Sequence, residues 1–270
     1  MPIRCHDFVR SIVGSIFISI FLSLSACRPP SDPANPLPVS TILKNLEDAT
    51  RRIKDFKGGA DIVAYINDRR GRVGARIQYL APDRYRIDIQ GGFMQIMAVL
   101  LIEDQNVLLY TPRENTLFEG TLHDHEVVVP GLRISLVDMR TAALGLIDLQ
   151  PYVEGPITEY RYENGQVLIS IRQAGRTRTI WVDPRKSVVI KEEERQGDEI
   201  SVTRTFEQYN KRKGIWRPGR IKIRSDVREE SMDLVYYTQS VNGGLTRADL
   251  TVRFPDSVIR RPLREIMISR

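Results

Sequence analysis

The chain has 270 residues, of which 41% are hydrophobic and 27% charged, and its formal net charge is +6. A chain of this length can bury a core that is stable without disulfides. A nucleic-acid-binding protein would need a clustered basic stripe with interleaved aromatic side chains, so we expect no nucleic-acid partner. The positive charge could attract the protein to anionic lipid headgroups, or it could belong to an ordinary solvated surface.

The N-terminus has the three-part layout of an export signal. Arg4 and Arg10 supply the positive start, residues 12–24 are apolar and diluted by serine, and small residues precede Cys27. The apolar run is shorter than the ~20 residues that a transmembrane helix needs. We therefore expect residues 1–26 to be a cleaved signal peptide. The alternative is an uncleaved anchor with a chance cysteine.

Cys27 stands where an ordinary signal would end in small residues alone. The run Leu24-Ser25-Ala26-Cys27 resembles the lipobox of bacterial lipoproteins. The resemblance implies that Cys27 becomes the first mature residue and carries a diacylglyceryl thioether and an N-acyl chain such as palmitate. These chains anchor a protein because each buried methylene contributes ~0.8 kcal/mol. Cys5 would leave with the signal, so the mature chain would have no disulfide and no free thiolate.

Residues 27–38 form a predicted tether. Five of them are proline, which fits neither a helix interior nor a central strand. At ~3.1 Å per residue, such a segment would hold the folded body roughly 30 Å from the anchor. The residue after Cys27 is Arg28 rather than Asp, which by the enteric retention rule favours the outer membrane.

A helix is predicted from residue 40 onward. Its apolar residues recur three or four positions apart, and Gly58-Gly59 marks its end. The predicted core-facing residues are Ile42, Leu43, Leu46, Ala49, Ile53 and Phe56. A second helix is predicted after Pro130, with a capping box formed by Ser135 and Asp138.

After Gly59 the hydrophobic period falls to two, which predicts strands separated by polar turns. The predicted strands are 60–66, 73–79, 85–89, 95–102, 107–110, 116–120, 158–162, 166–172, 177–181, 188–195, 200–209, 220–224, 231–238 and 250–254. A sheet of more than ~10 strands must curl, split or flatten. The fold class is therefore mainly β (α+β), a strongly curved antiparallel sheet. Its inner face either encloses a filled core or wraps a cavity that the helices partly plug.

Few residues suggest catalysis. His123 and His125 would share one strand face, but two ligands without a third do not make a zinc site, so we expect no metal and no cofactor. No Gly-x-Ser-x-Gly motif and no glycine-rich phosphate loop occurs. The run Glu192-Glu193-Glu194 is predicted to be a solvated strand edge or turn. We expect that the protein is not an enzyme.

Four segments resemble the LolA/LolB superfamily, and LolB in particular. They are Arg52–Phe56 with the following Gly-Gly-Ala, Asp83–Ile87 with a glycine turn behind it, Pro130–Leu136, and Trp181–Arg185 with its Asp-Pro turn. The resemblance covers most of residues 40–254. It implies a LolA/LolB-like domain over 39–256, followed by a basic C-terminal tail over 257–270.

The resemblance implies a half-open barrel with a helical lid over a hydrophobic cavity for acyl chains. LolB proteins are anchored in the outer membrane and face the periplasm, where they accept acylated lipoprotein cargo from a LolA-like carrier and insert it into the membrane. We expect this chain to be a monomer with the same partners. The alternative is a non-catalytic envelope scaffold or sensor that binds a lipid or a protein partner.

The same resemblance suggests candidate site residues. Phe93 and Met94 match the place of the LolB membrane-insertion loop, although Phe93 could instead be buried at the start of the next strand. The candidates for the cavity lining are Ile62, Ala64, Ile66, Ala75, Ile77, Ile87, Ile89 and Leu100. The candidates for steering an acidic carrier are Arg76, Arg84 and Arg86, an electrostatic role that depends on salt.

Overall fold

The computed structural model describes residues 37–66, 69–122, 141, 143–227 and 229–267. The predicted signal peptide, Cys27 and most of the tether lie outside these ranges. His123, His125 and most of the predicted second helix also lie outside them. Ile66 belongs to a described strand, but its side chain is not described.

The described residues form sixteen strands, three short or medium α-helices and two 3₁₀ turns. The helices are α1 (Val39–Arg51), α2 (Gln150–Glu154) and α3 (Arg247–Leu250). The strands of the first half are β1 (Asp55–Ile66), β2 (Arg69–Leu80), β3 (Arg84–Gln90), β4 (Ile96–Glu103), β5 (Asn106–Thr111) and β6 (Thr116–Thr121). Those of the second half are β7 (Ile157–Glu163), β8 (Gln166–Gln173), β9 (Arg176–Asp183), β10 (Val188–Gln196), β11 (Glu199–Glu207), β12 (Asn210–Arg212), β13 (Ile215–Arg217), β14 (Arg220–Ser225), β15 (Glu230–Val241) and β16 (Ile259–Pro262). The 3₁₀ turns are Gly92–Met94 and Leu263–Met267.

Fourteen of the strands form one sheet. Its order is β16-β6-β5-β4-β3-β2-β1-β15-β14-β11-β10-β9-β8-β7, and β12 and β13 pair separately. Neighbouring strands are antiparallel, apart from the parallel pair of β16 with β6. The end strands β16 and β7 do not pair with each other, so the barrel is half-open, and the prediction of one large antiparallel sheet is confirmed.

The concave face of the sheet holds the core. On β2, β3 and β4 alternate apolar residues meet across the strands, as Ile77 pairs with Ile87 and Ile87 with Leu100. These side chains share one buried cluster with Ile169 and Ile180 from the other half of the sheet. Since residues from distant strands meet in one core, the sheet must curl around it.

Helix α1 ends earlier than the sequence predicts. Phe56 was expected on the helix, but it is fully buried in β1. The Oδ1 atom of Asn242 accepts hydrogen bonds from the backbone N–H groups of Lys54 (2.8 Å) and Asp55 (3.3 Å). These bonds to Asn242, the residue that follows β15, use backbone donors that a continuing helix would need. Among the residues described, no helix is both long and apolar enough to cross a lipid bilayer.

The sheet continues past the predicted end of the domain at residue 256. Strand β16 lies beside β6, and the backbone N–H of Ile259 donates to the carbonyl oxygen of Asn115 at 2.9 Å. Leu263, which follows it, is buried. Part of the predicted basic tail therefore belongs to the folded body.

Candidate functional site

The concave face opens where β1 ends and β2 begins. A cavity of about 450 Å³, here called the mouth pocket, lies at this end. Its apolar lining consists of Ile62, Ala64, Val73, Ile89, Ile96, Met97 and Ala98, and its polar lining includes Arg72, Gln95, Thr111, Arg113 and Glu114. A largely apolar cavity with a few polar side chains at its edge is the usual form of a site for a small apolar ligand.

An apolar tip, made of Phe93, Met94, Ile96 and Met97, stands beside the mouth pocket. Phe93 is fully exposed and Met94 is 81% exposed. The expectation that Phe93 could be buried at the start of a strand is therefore wrong. The turn is closed by a hydrogen bond from the N–H of Gly91 to the carbonyl oxygen of Gln95 at 2.9 Å.

The backbone of the apolar tip is unusual. Phe93 has φ 56° and Met94 has φ 59°, which places two consecutive large residues in the left-handed region. This conformation costs a non-glycine residue ~1–3 kcal/mol and clusters at functional sites. Both side chains project into solvent.

The predicted cavity-lining residues separate into two groups. Ile62, Ala64 and Ile89 line the mouth pocket. The remaining described candidates pack in the core with 2% exposure or less, namely Ala75, Ile77, Ile87 and Leu100. The mouth pocket therefore occupies one end of these strands, and side chains fill the middle positions of the same strands.

The three predicted steering arginines lie in different surroundings. Arg76 is exposed. Arg84 forms an ion pair with Glu103. Burial and the nearby charge of Arg247 lower the pKa of Arg84. Arg86 is also held in place, because its Nε lies 2.8 Å from Oδ1 of Asp88. Of the three, Arg76 is the one whose charge faces solvent.

The second half of the concave face contains a buried charged cluster that the sequence analysis missed. Glu192 is 2% exposed and Arg204 is 4% exposed, so the prediction of a solvated glutamate run is wrong. Nη1 of Arg204 donates to Oε2 of Glu192 at 3.0 Å, and the hydroxyl of Tyr152 donates to Oε1 at 3.3 Å. Burial, together with the charge of Glu192, raises the pKa of Tyr152 far above its ordinary value.

Metal binding by the described residues would require several ligating side chains to lie close together. Within these ranges, no group of three or more His, Cys, Asp or Glu side chains is placed to hold a metal ion. The histidine pair at His123 and His125 lies outside the described part of the chain, so the structure does not test it.

Several solved structures share this fold, although no protein-family model and no curated protein matches the sequence. A domain from Vibrio parahaemolyticus described as an outer membrane lipoprotein-sorting protein domain is 14% identical, with a TM-score of 0.63 over 77% of this chain and 95% of its own. A DUF1329 family protein from Desulfovibrio piger is 11% identical, with a TM-score of 0.62 over 80% of this chain and 100% of its own. A LolA superfamily protein from Nitrosomonas europaea is 12% identical, with a TM-score of 0.57 over 80% of this chain and 99% of its own.

The chain therefore has the fold of the LolA superfamily, as the resemblance in sequence implied. The identities are too low to carry more than the fold. The narrower resemblance to LolB stays a prediction.

Proposed function

We propose that this chain is a lipid-anchored, non-catalytic protein that binds the acyl chains of lipoproteins and helps insert them into the outer membrane. The observation that carries the proposal is the position of the apolar tip directly beside the mouth pocket. Ile96 and Met97 belong to both, so an acyl chain leaving the pocket would meet apolar side chains of the tip.

The driving force for binding is the burial of methylene groups. Each buried methylene contributes ~0.8 kcal/mol, so affinity should rise with the length of acyl chain that the pocket can cover. Transfer in one direction requires the pocket to hold the chain more tightly than the carrier does and less tightly than the bilayer does. An exposed phenylalanine and methionine can enter the membrane interface and bring the mouth pocket to the lipid.

The anchor fits the same role. Acylated Cys27 would fix the chain to the membrane, and the proline-rich tether over 27–38 would give the folded body a reach of roughly 30 Å. The apolar tip could then contact the bilayer while the mouth pocket receives cargo from a periplasmic carrier. Arg76, the exposed candidate, would attract an acidic carrier surface.

The test replaces Phe93 and Met94 together by aspartate in the full-length acylated protein. We expect transfer of an acylated lipoprotein from its carrier to vesicles to fall about tenfold or more, because charged side chains do not enter the interface. Binding of the acylated cargo should stay within about twofold of the wild type, since the mouth pocket is retained.

The matched control is Val153→Asp, which places one charge at an exposed valine on α2, away from the tip. This variant should transfer cargo normally. Wild-type protein that binds no acylated cargo, or a Phe93→Asp, Met94→Asp variant with undiminished transfer, would show that the proposal is wrong.

A further inference from the structure

A second cavity, of about 420 Å³, lies between α1 and the segments that precede β10 and form β13. We call it the basal pocket. It is bordered by Ile53, just before β1, whereas the mouth pocket is bordered by Ile62 and Ala64 near the end of the same strand. Nine residues of strand extend ~30 Å, so the two cavities lie at opposite ends of β1.

The wall of the basal pocket contains a buried guanidinium. Arg217, the last residue of β13, is only 2% exposed. Its Nε has no hydrogen-bond partner, and among the described residues no carboxylate forms an ion pair with it. The Cζ atom lies 5.3 Å from the centre of the Phe56 ring. Arginine stays protonated in proteins, so a full positive charge is held here without a countercharge.

The nearby phenol groups do not neutralise this charge. Tyr209 donates its hydroxyl hydrogen to the carbonyl oxygen of Val189 at 2.5 Å, and Tyr236 donates to the carbonyl oxygen of Ala143. Burial lowers the pKa of Arg217, and the two tyrosines oppose that shift only in part. Removing an ion from water without a partner is costly. A buried charge of this kind beside a cleft is a candidate binding site, because a ligand of opposite charge would offset that cost.

The rim of the basal pocket is also cationic. The exposed residues Arg52, Arg185, Lys186 and Lys211 border it, and Lys186 is paired with Asp183 at 2.9 Å. Asp48 is the one carboxylate among the described lining residues. A cleft lined by charges of one sign concentrates ligands of the opposite sign. The buried Arg217 and its basic rim therefore favour an anion.

The rest of the lining favours an anion with an organic body. Leu146, Leu149, Val188 and Ile215 provide an apolar wall. Trp216 borders the same space, with Nζ of Lys186 at 5.5 Å and Nζ of Lys211 at 5.7 Å from its ring centre. An aromatic ring with two cations nearby can pack against the organic part of an anion whose charge lies beside it.

We propose that the basal pocket binds a phosphate group. The buried guanidinium of Arg217 would donate hydrogen bonds to it, and the positively charged side chains of the rim would attract it. A guanidinium matches phosphate because two parallel N–H groups can donate to two oxygens of one phosphate. One phosphate would also interact with several of the surrounding cations. The phosphate could belong to a phospholipid headgroup or to a soluble phosphorylated molecule.

The test uses the fluorescence of Trp216 as a local signal. The chain has two tryptophans, and Trp181 lies on β9 outside the pocket lining, so Trp181→Phe leaves Trp216 as the single reporter. This protein is titrated with inorganic phosphate, and separately with dihexanoyl phosphatidic acid, in chloride salt at constant ionic strength. We expect a saturable change in fluorescence with at least one probe.

Arg217→Met in the same background should weaken binding at least about tenfold, because it removes the paired donors. Its melting temperature should stay level or rise, because an uncompensated buried charge is gone. Arg172→Met removes a charge from an exposed position on β8 and should leave the affinity within about twofold of the parent protein. If Arg217→Met does not fold, the rim variant Arg185→Ser, Lys211→Ser should weaken binding several-fold.

No saturable binding of either probe would overturn the proposal, as would unchanged affinity in Arg217→Met or, where that variant does not fold, in the rim variant. Tighter binding of dihexanoyl phosphatidic acid than of inorganic phosphate would identify a lipid headgroup as the source. Equal or weaker binding of the lipid would identify a soluble phosphorylated molecule. None of these variants alters the mouth pocket or the apolar tip, so this result is independent of the outcome for acyl-chain transfer.

Discussion

Glu192 shows how much a single residue depends on partners that are distant in the sequence. In β10 it comes after two valines, an isoleucine and Lys191, and it is the first residue of a glutamate run that suggests a solvated edge. The strand register instead pairs Glu192 with Ile180 on one side and with Arg204 on the other. The countercharge comes from β11, so composition within β10 alone could not have predicted the burial of its carboxylate.

The first prediction concerns this buried pair. Arg204→Met should lower the free energy of unfolding by ~3–5 kcal/mol, because it leaves the carboxylate of Glu192 buried with weaker compensation. The double variant Glu192→Met, Arg204→Met should recover at least half of the loss, since paired charges have then been replaced by apolar side chains of similar volume. Urea unfolding followed by circular dichroism measures both values.

The matched control for this pair is Arg176→Met. Arg176 pairs with Glu194 at 3.2 Å, but its side chain is 61% exposed. Its loss should cost no more than ~1 kcal/mol. A double variant as unstable as Arg204→Met alone would contradict the view that the weakly compensated carboxylate of Glu192 is the source of the loss.

At the scale of an element, β10 carries a second set of charges on its other face. Strand alternation places Lys191, Glu193 and Arg195 together there. Nζ of Lys191 lies 2.6 Å from Oε1 of Glu193, and Nη2 of Arg195 lies 3.2 Å from Oε2. Burial opposes the charge on Glu193, but the hydrogen bonds and charges of Lys191 and Arg195 outweigh it and lower the pKa of Glu193.

This lowered pKa makes part of the stability depend on pH. The folded pKa of Glu193 is below its ordinary value of 4.5, so its stabilising contribution is complete above that value and is lost as the pH falls through the folded pKa. Glu193→Gln should therefore reduce the free energy of unfolding at pH 7 by about 1–2 kcal/mol and have a smaller effect at pH 3. Urea unfolding at the two pH values tests this. Glu163→Gln, at an exposed strand end, is the control and should change neither value appreciably.

The apolar tip shows what element prediction from sequence can and cannot supply. Gly91-Gly92 correctly indicates a turn, and the apolar pair after it indicates a candidate membrane contact. Phenylalanine and methionine nevertheless prefer negative φ angles, so residue type gives no reason to expect positive φ at Phe93 and Met94. Their outward direction results from the turn closing between Gly91 and Gln95, which only the structure reveals.

At the scale of the whole molecule, most of the local pattern of strands and turns was predictable and the order of the strands was not. The strand predicted over 250–254 is wrong, because α3 ends at Leu250 and residues 251–255 form no strand. Period-two alternation and polar turns specify hairpins such as β2–β3, where partners are close in sequence. The pairing of β1 with β15 joins the two halves of the sheet, with Phe56 opposite Val241. No local signal encodes a contact between residues so far apart in sequence. The family resemblance supplied the half-open barrel that local patterns left undecided.

The boundary of the folded body was also beyond local prediction. Residues 260–264 contain three arginines and a proline, a composition typical of a solvated tail. The strand is nevertheless held at the sheet edge, where Nη1 of Arg260 lies 2.5 Å from Oε1 of Glu119 and Leu263 is buried behind it. Because β16 covers the edge of β6, it protects backbone groups that would otherwise be free to pair with another chain.

The last prediction follows from this edge. Deleting residues 258–270 should lower the free energy of unfolding by at least ~2 kcal/mol, because the burial of Leu263 and the pairing with β6 are both lost. The exposed edge of β6 should also make the protein self-associate as its concentration rises, which sedimentation velocity can measure. The control keeps the strand and removes its charge through Arg260→Ser, Arg261→Ser and Arg264→Ser. That variant should stay monomeric with a small change in stability, since these side chains are exposed. If the truncated chain were equally stable and monomeric, residues 259–263 would be a tail after all, and the sheet would end at β6.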